Sequence, residues 1–124
     1  IDEYKKDNVS IGSFKIGCYR PFPGKQIVEQ LKHAKRIIVV EKDIFAGVGG
    51  CLANDMTVAF KDTDVKIYSV IGGLGGRPIF KKSLIKILDR GMKDELEDLS
   101  FIDLDQSLVE REITREDLFM TKAV

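Results

Sequence analysis

The stretch Arg36-Ile37-Ile38-Val39-Val40-Glu41 decides the fold class of this chain. It places four β-branched residues in succession, without the polar alternation of a strand that faces water on one side. Such a run predicts a strand covered on both faces, as strands of parallel sheets are. Residues 24–34 precede it and predict an amphipathic helix, because their apolar side chains recur three and four positions apart, at Ile27, Val28, Leu31 and Ala34. A helix that leads into a buried strand is the repeating unit of an α/β protein.

Further helices and a further strand follow. Residues 51–60 and 80–90 carry the apolar spacing of helices, and residues 65–71 have the pattern of a second strand between them. Gly91 follows the last of these helices and is predicted to cap it. The order predicts an α/β fold, a three-layer α/β/α sandwich built on a mostly parallel sheet with right-handed crossovers.

The two ends of the chain are less regular. Residues 1–8 have the pattern of a helix end, and residues 9–19 have that of a strand, which two prolines then stop. Residues 100–104 fit a short edge strand. Residues 114–117 have the spacing of a capping box, which predicts a short helix from Leu118.

Bulk composition argues against several classes of function. The chain has 124 residues, with 20 basic and 20 acidic side chains, and its zero net charge argues against nucleic acid as the main partner. No apolar run approaches the roughly 20 residues of a membrane span, so no membrane partner is expected. Cys18 and Cys51 are too few for a four-thiolate metal site, and their scarcity indicates a cytoplasmic protein. Because the chain starts at Ile1, we expect it to be processed or cut from a longer polypeptide.

Two glycine loops follow predicted strands, where α/β proteins usually bind ligands. Residues 47–50 read Gly-Val-Gly-Gly, but Leu52 stands where a dinucleotide-binding loop needs its third glycine. Residues 72–76 hold four glycines but lack the lysine and the hydroxyl of a phosphate-binding P-loop. Backbone amides at a helix start can still hold an anion. We therefore expect the first loop to serve a tight turn or a contact with another domain and the second to contact another domain, with an anion site as the alternative for each.

No set of side chains predicts an active site. His33 is the single histidine, and we expect it to be exposed at the end of its helix. Cys51 begins a helix without a recognisable base beside it. Arg20 can pair with a carboxylate or phosphate of a partner, and the alternative is an ion pair with Asp43 of its own domain. The sequence therefore predicts no catalytic, cofactor-binding or metal-binding residue.

Five segments, in this order, resemble the C-terminal part of the α subunit of pyruvate and other 2-oxoacid:ferredoxin oxidoreductases. They are Tyr19-Arg20-Pro21-Phe22-Pro23, residues 35–43, residues 47–50, residues 71–77 and residues 101–104. The resemblance implies a transketolase-C-terminal-like domain over residues 1–105, with residues 106–124 as a C-terminal extension. It also implies that the first strand of that domain precedes residue 1.

The resemblance further implies what the whole enzyme does. That enzyme decarboxylates a 2-oxoacid oxidatively, using thiamine diphosphate, magnesium, iron–sulfur clusters and coenzyme A, and passes the electrons to ferredoxin. The implied partners are the pyrimidine-binding domain and the other subunits of the parent enzyme. No residue of this chain matches a family ligand of thiamine diphosphate, magnesium or a cluster. The resemblance therefore implies a non-catalytic domain that completes the subunit.

The predicted role of the chain is to pack against those partner domains. The predicted interface residues are Arg20, Pro21, Phe22, Pro23, Asp43, Gly47, Gly49, Gly50, Gly73, Gly75, Gly76 and Arg77. The alternative is an independent α/β module that binds an anionic ligand, a nucleotide or coenzyme A, at its two glycine loops.

Overall fold

Helices and strands alternate along the chain. The computed structural model describes Tyr4 and residues 9–120, with side chains as far as Arg115. In chain order the elements are α1 (Gly24–Leu31), β1 (Arg36–Glu41), α2 (Cys51–Ala59), β2 (Lys66–Ile71), a 3-10 turn (Leu74–Gly76), α3 (Lys81–Met92), β3 (Leu99–Phe101) and α4 (Gln106–Met120). This alternation confirms the predicted α/β class.

The three strands form one parallel sheet in the order β1-β2-β3. In the register of β1 and β2, Val39 lies opposite Ser69. In that of β2 and β3, Ile71 lies opposite Phe101. Helices α1 and α2 pack on one face of the sheet and α3 packs on the other. The predicted three-layer α/β/α arrangement is therefore confirmed.

Two apolar clusters, one on each face of the sheet, hold the layers together. The first cluster joins α1, β1 and α2 through Ile27, Val39, Ala53, Met56 and Phe60. The second joins β2 and α3 through Tyr68, Val70, Ile87 and Leu96. Full burial of an aliphatic side chain of this size stabilises a fold by about 1.5–3 kcal/mol, so the two clusters account for much of the attraction between the layers.

The strand that is covered on both faces is β2 rather than β1. The last four residues of β2 are all buried, whereas Val40 of β1 remains 42% exposed. Within the described residues β1 lies at an edge of the sheet, so it is covered less completely than the central strand. The prediction for residues 36–41 is correct for the strand and its parallel pairing but wrong for its full burial.

Residues 9–19 form no strand in the described structure, so this prediction is wrong. A strand needs a neighbour that accepts its backbone hydrogen bonds, and the described part of the chain places none beside this segment. Gly12 and Gly17 also weaken strand formation. The segment still packs Ile16 against the first cluster. The predicted helix end over residues 1–8 lies outside the described residues, except for Tyr4, which is helical.

Helix α3 ends in a different way from the prediction. Gly91 lies inside the helix, where an added Cβ would come 2.5 Å from Ile38 Cδ1, so close packing against β1 favours glycine. The helix closes with a Schellman motif, in which the Glu95 amide donates to Arg90 O at 2.9 Å and the Asp94 amide donates to Gly91 O at 3.2 Å. Asp94 adopts the left-handed conformation of this motif, with φ of 62°.

The C-terminal region contains a short strand and a long helix. Strand β3 confirms the predicted edge strand. Helix α4 begins at Gln106 and not at Leu118, because the Asp105 carboxylate caps it by accepting the Leu108 amide at 3.1 Å. The capping-box spacing at residues 114–117 falls inside the helix, so that prediction is wrong. None of the described helices has both the length and the apolar character needed to cross a bilayer.

Candidate functional site

The loops after β1 and β2 meet at one edge of the sheet, because parallel strands end on the same side. We call this the carboxyl edge, formed by residues 42–50 and 72–80. The two loops approach each other closely at Gly73. A Cβ atom added to this glycine would lie 3.0 Å from Lys42 Cε. The structure thus places on these adjacent loops the predicted interface residues Asp43, Gly47, Gly49, Gly50, Gly73, Gly75, Gly76 and Arg77.

A buried carboxylate occupies the start of α2. Glu41, the last residue of β1, accepts the backbone amide of Leu52 at 2.7 Å and that of Ala53 at 3.0 Å. Burial raises the pKa of Glu41, the two amide hydrogen bonds lower it, and the neighbouring Asp43 carboxyl raises it again. The net effect raises the pKa of Glu41, and the start of this helix is already occupied by a carboxyl group that belongs to the protein.

Glu41 bears directly on the alternative anion site at residues 47–50. A Cβ on Gly50 would overlap Glu41 Oε1 and would lie 2.9 Å from the buried Ser69 Oγ. An external phosphate would have to displace Glu41 from both amides. Gly50 therefore serves close packing, and the geometry does not favour anion binding at this loop.

The loop after β1 carries exposed apolar side chains that sequence reasoning did not select. The Phe45 amide donates to Gly49 O at 2.9 Å and the Gly49 amide donates to Phe45 O at 3.0 Å, which closes a tight turn. Gly47 and Gly49 have φ of 78° and 89°, a conformation that favours glycine. Phe45 is 57% exposed and Val48 is 60% exposed. The signal in the sequence was the placement of these apolar residues outside any helix or strand period.

The second glycine loop borders an apolar groove. Gly73, Gly75 and Gly76 have φ of 74°, 63° and 78°, so the turn of this loop depends on glycine. The groove has a volume of about 390 Å³ and lies between this loop, β3 and the first turn of α4. Its apolar lining includes Leu74, Phe80, Leu104, Leu108 and Val109, and its charged members are Arg77, Asp103 and Asp105.

Arg20 pairs with Asp55 of α2 rather than with Asp43. Its Nη1 donates to Asp55 Oδ2 at 2.7 Å, and its guanidinium carbon lies 4.0 Å from the centre of the Tyr19 ring. The Tyr19 hydroxyl donates to the same oxygen at 2.6 Å. The hydrogen bond from Tyr19 lowers the pKa of Asp55, and that from Arg20 lowers it as well. The expected alternative, an ion pair within its own domain, is therefore found with a different partner.

Residues 19–23, which we call the arginine–proline segment, also pack against the core. Phe22 packs against the first cluster and meets the Tyr19 ring edge-on, with 5.9 Å between ring centres. The peptide bond between Arg20 and Pro21 is cis. Burial and the hydrogen bond to Asp55 raise the pKa of Tyr19. Arg20 and Pro21 are exposed, whereas Phe22 and Pro23 are half-buried, so only the start of the segment is fully open to a partner.

Two residues with possible acid–base or nucleophilic chemistry, His33 and Cys51, lie at the ends of different helices. His33 is exposed just beyond α1, and Cys51 is half-buried at the start of α2, with its Sγ 3.1 Å from the Tyr19 hydroxyl. Across Tyr4 and residues 9–115, no three His, Cys, Asp or Glu side chains are grouped closely enough to hold a metal ion. The carboxyl edge therefore consists mainly of exposed loops, and its carboxyl group, Glu41, is hydrogen-bonded inside the fold.

The family profile described as pyruvate:ferredoxin oxidoreductase core domain II matches residues 1–84. Pyruvate synthase subunit PorA of Methanothermobacter thermautotrophicus is 33% identical over 90 residues, which are 73% of this chain and 23% of that subunit. PorA of Methanocaldococcus jannaschii is 36% identical over 96 residues, 77% of this chain and 24% of that subunit. Ketoisovalerate oxidoreductase subunit VorA of Pyrococcus furiosus is 29% identical over 91 residues, 72% of this chain and 23% of that subunit.

These matches cover most of this chain but only about a quarter of the relatives' own length. The region matched by the family profile includes the arginine–proline segment, strands β1 and β2, and both loops of the carboxyl edge. Since one profile spans well over half of the residues, the chain belongs to the pyruvate:ferredoxin oxidoreductase core domain II family.

Proposed function

We propose that this chain is the C-terminal, non-catalytic domain of the α subunit of a thiamine-diphosphate-dependent 2-oxoacid:ferredoxin oxidoreductase, with pyruvate as the 2-oxoacid. The domain completes the subunit and packs against the catalytic domains. The proposal rests on what the carboxyl edge of this family member presents. There Glu41 fills the helix start that a cofactor phosphate would use, and the loops expose apolar side chains.

The cofactors of the parent enzyme would be thiamine diphosphate, magnesium and iron–sulfur clusters, with coenzyme A as co-substrate, and this chain would hold none of them. Its partners would be the pyrimidine-binding domain and the other subunits, and ferredoxin would be reached through the complex. Support comes from relatives that are named as subunits of pyruvate synthase and of ketoisovalerate oxidoreductase. We place the enzyme in the cytoplasm, because its free thiols Cys18 and Cys51 suit a reducing compartment.

The proposed interface keeps the residues that the sequence predicts: Arg20, Pro21, Phe22, Pro23, Asp43, Gly47, Gly49, Gly50, Gly73, Gly75, Gly76 and Arg77. Of these, Gly49 and Gly50 are buried, so their part is to shape the loop that meets the partner. The interface is supported by the exposure of Arg20 and Pro21 and by the meeting of the two glycine loops at one edge. We propose residues 1–105 as the packing domain and residues 106–124 as an extension. In support, the two apolar clusters and the side chains packed on them lie between Ile16 and Ile102.

Reconstitution tests the proposed function. The chain is mixed with purified subunits of a pyruvate:ferredoxin oxidoreductase that carry the pyrimidine-binding and diphosphate-binding domains. Binding is measured together with the rate of pyruvate-dependent ferredoxin reduction. We expect the chain to bind at least one of these subunits and to raise turnover. A chain that binds none of them and leaves turnover unchanged would show that the proposal is wrong.

Arg20→Ala tests the interface part of the proposal, and Lys25→Ala is its matched control because Lys25 is an exposed cation five positions away. We expect Arg20→Ala to weaken subunit association several-fold and Lys25→Ala to leave it within about twofold, as rim charges typically do. Circular dichroism should show that both variants stay folded, with the midpoint of Arg20→Ala lowered only slightly by the loss of its exposed ion pair with Asp55. Association that is equally tight for both variants would contradict this role of Arg20.

A further inference from the structure

We propose that the apolar groove beside the second glycine loop binds a free amino acid with an apolar side chain. Arg77 would hold the carboxylate of this ligand, and Asp103 and Asp105 would hold its ammonium group. Such a site goes beyond the function proposed above, because it concerns a ligand of this chain alone and needs no other subunit. It also differs from an anion site at the glycine loops, which would use backbone amides and no acidic side chain.

The shape and the lining of the groove fit a small molecule. Its volume of about 390 Å³ lies within the usual range of ligand pockets, which are mostly apolar and carry a few polar groups that fix the orientation of the ligand. Leu74 and Phe80 line the groove from the loop, and Leu104 and Leu108 line it from the other side. Each of these four side chains is more than a third exposed, so covering them with an apolar ligand is favourable.

The loop wall of the groove carries a free cation. Arg77 is exposed there, and within the described part of the chain its guanidinium has neither a hydrogen bond nor an ion pair. Lys42 is a second cationic side chain beside the same loop, since its Cε would lie 3.0 Å from a Cβ on Gly73. A guanidinium binds a carboxylate through two parallel hydrogen bonds. Arg77 is therefore placed to bind the carboxylate of a ligand.

The opposite wall of the groove is acidic. Asp103 Oδ2 accepts the Ser83 hydroxyl at 2.7 Å, and Asp105 Oδ1 accepts the Ser107 hydroxyl at 2.7 Å. These bonds orient both carboxylates but occupy only part of the acceptor positions that each has. The hydrogen bond from Ser107 also lowers the pKa of Asp105, so this group is ionised at neutral pH. Both aspartates can therefore accept hydrogen bonds from an ammonium group.

The separation of the two charges selects a zwitterion. Arg77, Asp103 and Asp105 line one groove, yet the described structure contains no ion pair between Arg77 and either aspartate. A simple anion would meet repulsion from the acidic wall, and a simple amine would meet it from Arg77. A ligand that carries both charges satisfies both walls, while an apolar side chain covers the apolar lining. An α-amino acid with an apolar side chain has this combination of groups.

Calorimetric titration of the full chain with a matched series of ligands tests the proposal. The series contains L-phenylalanine, 3-phenylpropionate without the ammonium group, 2-phenylethylamine without the carboxylate, and glycine without the apolar side chain. We expect L-phenylalanine to bind with a Kd of about 1 mM or below. Each of the other three should bind at least about tenfold more weakly, because a charged or apolar part of the groove is left unmatched. This comparison uses the parent chain, so it does not depend on the folding of any variant.

Two substitutions locate the ligand. Arg77→Gln and Asp103→Asn should each raise the Kd for L-phenylalanine at least about tenfold, because each removes a charged partner. Asparagine tolerates the left-handed conformation of Asp103, which has φ of 54°, so the second substitution keeps the backbone. Lys25→Gln is the control, because Lys25 is an exposed cation of α1 outside the groove, and it should change the Kd by less than about twofold.

The outcomes that would overturn the proposal are distinct. If L-phenylalanine does not bind, the groove is not an amino-acid site. If an analogue that lacks one charge binds as tightly as L-phenylalanine, the ligand is not selected as a zwitterion. Unchanged affinity in both groove variants would mean that the amino acid binds elsewhere. A chain that binds L-phenylalanine as expected but no catalytic subunit would overturn the proposed function and support the amino-acid site.

Discussion

Among the glycines of the chain, Gly50 leaves the least room for a side chain, because Glu41 reaches the start of α2 beside it. We predict that Gly50→Ala destabilises the chain, because the new methyl group must push the carboxylate away from the Leu52 and Ala53 amides. Leaving buried hydrogen-bonding groups unpaired costs about 1–3 kcal/mol each, so the free energy of unfolding should fall by about 2 kcal/mol or more. Urea denaturation followed by circular dichroism measures this change.

Gly12→Ala is the control for that substitution. A Cβ at Gly12 would meet no atom within 4 Å, so its free energy of unfolding should stay within about 0.5 kcal/mol of the parent value. Gly50 has φ of −72°, which alanine adopts without strain, so backbone conformation cannot account for a loss at that position. Equal stability of the two variants would mean that Glu41 moves aside without cost, contrary to the prediction.

Asp94 supplies the left-handed residue that ends α3, and its carboxylate binds three neighbouring side chains. Its carboxylate accepts hydrogen bonds from the Tyr68 hydroxyl, from Lys66 Nζ at 3.1 Å and from Arg36 Nε at 3.4 Å. The hydrogen bond from Tyr68, followed by that from Lys66, lowers the pKa of Asp94 from 3.8 to about 2. Because the folded-state pKa is the lower one, the stabilisation is present above pH 3.8 and is lost as the pH falls through about 2.

We predict that Asp94→Asn lowers stability at pH 6 and that its difference from the parent chain shrinks between about pH 4 and pH 2. Asparagine also tolerates the left-handed conformation, so the substitution removes the charge and keeps the helix end. The measurement is the urea midpoint of both proteins across this pH range. A difference that stays constant from pH 6 to pH 2 would contradict the assigned role of the carboxylate.

At the scale of elements, local pattern predicted what depends on local interactions. Helices α1 to α3 followed from apolar periodicity, and strands β1 and β2 followed from short apolar, β-branched runs. The predicted strand over residues 9–19 was wrong, because a strand depends on a neighbour elsewhere in the chain. The end of α3 was assigned to Gly91 although Asp94 supplies the left-handed residue, because sequence alone does not show that Ile38 packs on that glycine.

The start of α4 gives a prediction at this scale. Asp105 accepts the Leu108 amide and the Ser107 hydroxyl, so we expect Asp105→Ala to loosen the first turn of the helix. Amide hydrogen exchange of residues 107–109, followed by NMR, should become several-fold faster. Asp105→Asn is the control, since asparagine caps helices about as well as aspartate. Unchanged exchange in the alanine variant would show that packing at the groove, and not the cap, holds this turn.

At the scale of the whole molecule, the sequence indicated where the candidate site lies but not which side chains contact one another there. The glycine loops pointed to the carboxyl edge, because glycines that follow strands are visible in the sequence. The hydrogen bonds that the amides of α2 donate to Glu41, and the pairing of Arg20 with Asp55, join residues 11 to 35 positions apart and have no local signature. Phe45 and Val48 lie outside any helix or strand period in the sequence, but their exposure follows from the turn of residues 45–49, which the sequence does not show.

The division between a packed domain and an extension can be tested by ending the chain at residue 105. Among the side chains of α4 that the structure describes, residues 106–115, none belongs to either apolar cluster, and Leu108 and Val109 are 37% and 38% exposed where they line the groove. We therefore predict that the shortened chain still unfolds cooperatively, with a free energy of unfolding lowered by less than about 3 kcal/mol, because two partly exposed side chains contribute less than two buried ones. The helical circular dichroism signal should fall in proportion to the helical residues that are removed, which are the 15 residues of α4. If the shortened chain shows no cooperative urea transition, α4 belongs to the folding unit and the prediction is wrong. Removing contacts in the groove alone would leave both apolar clusters in place.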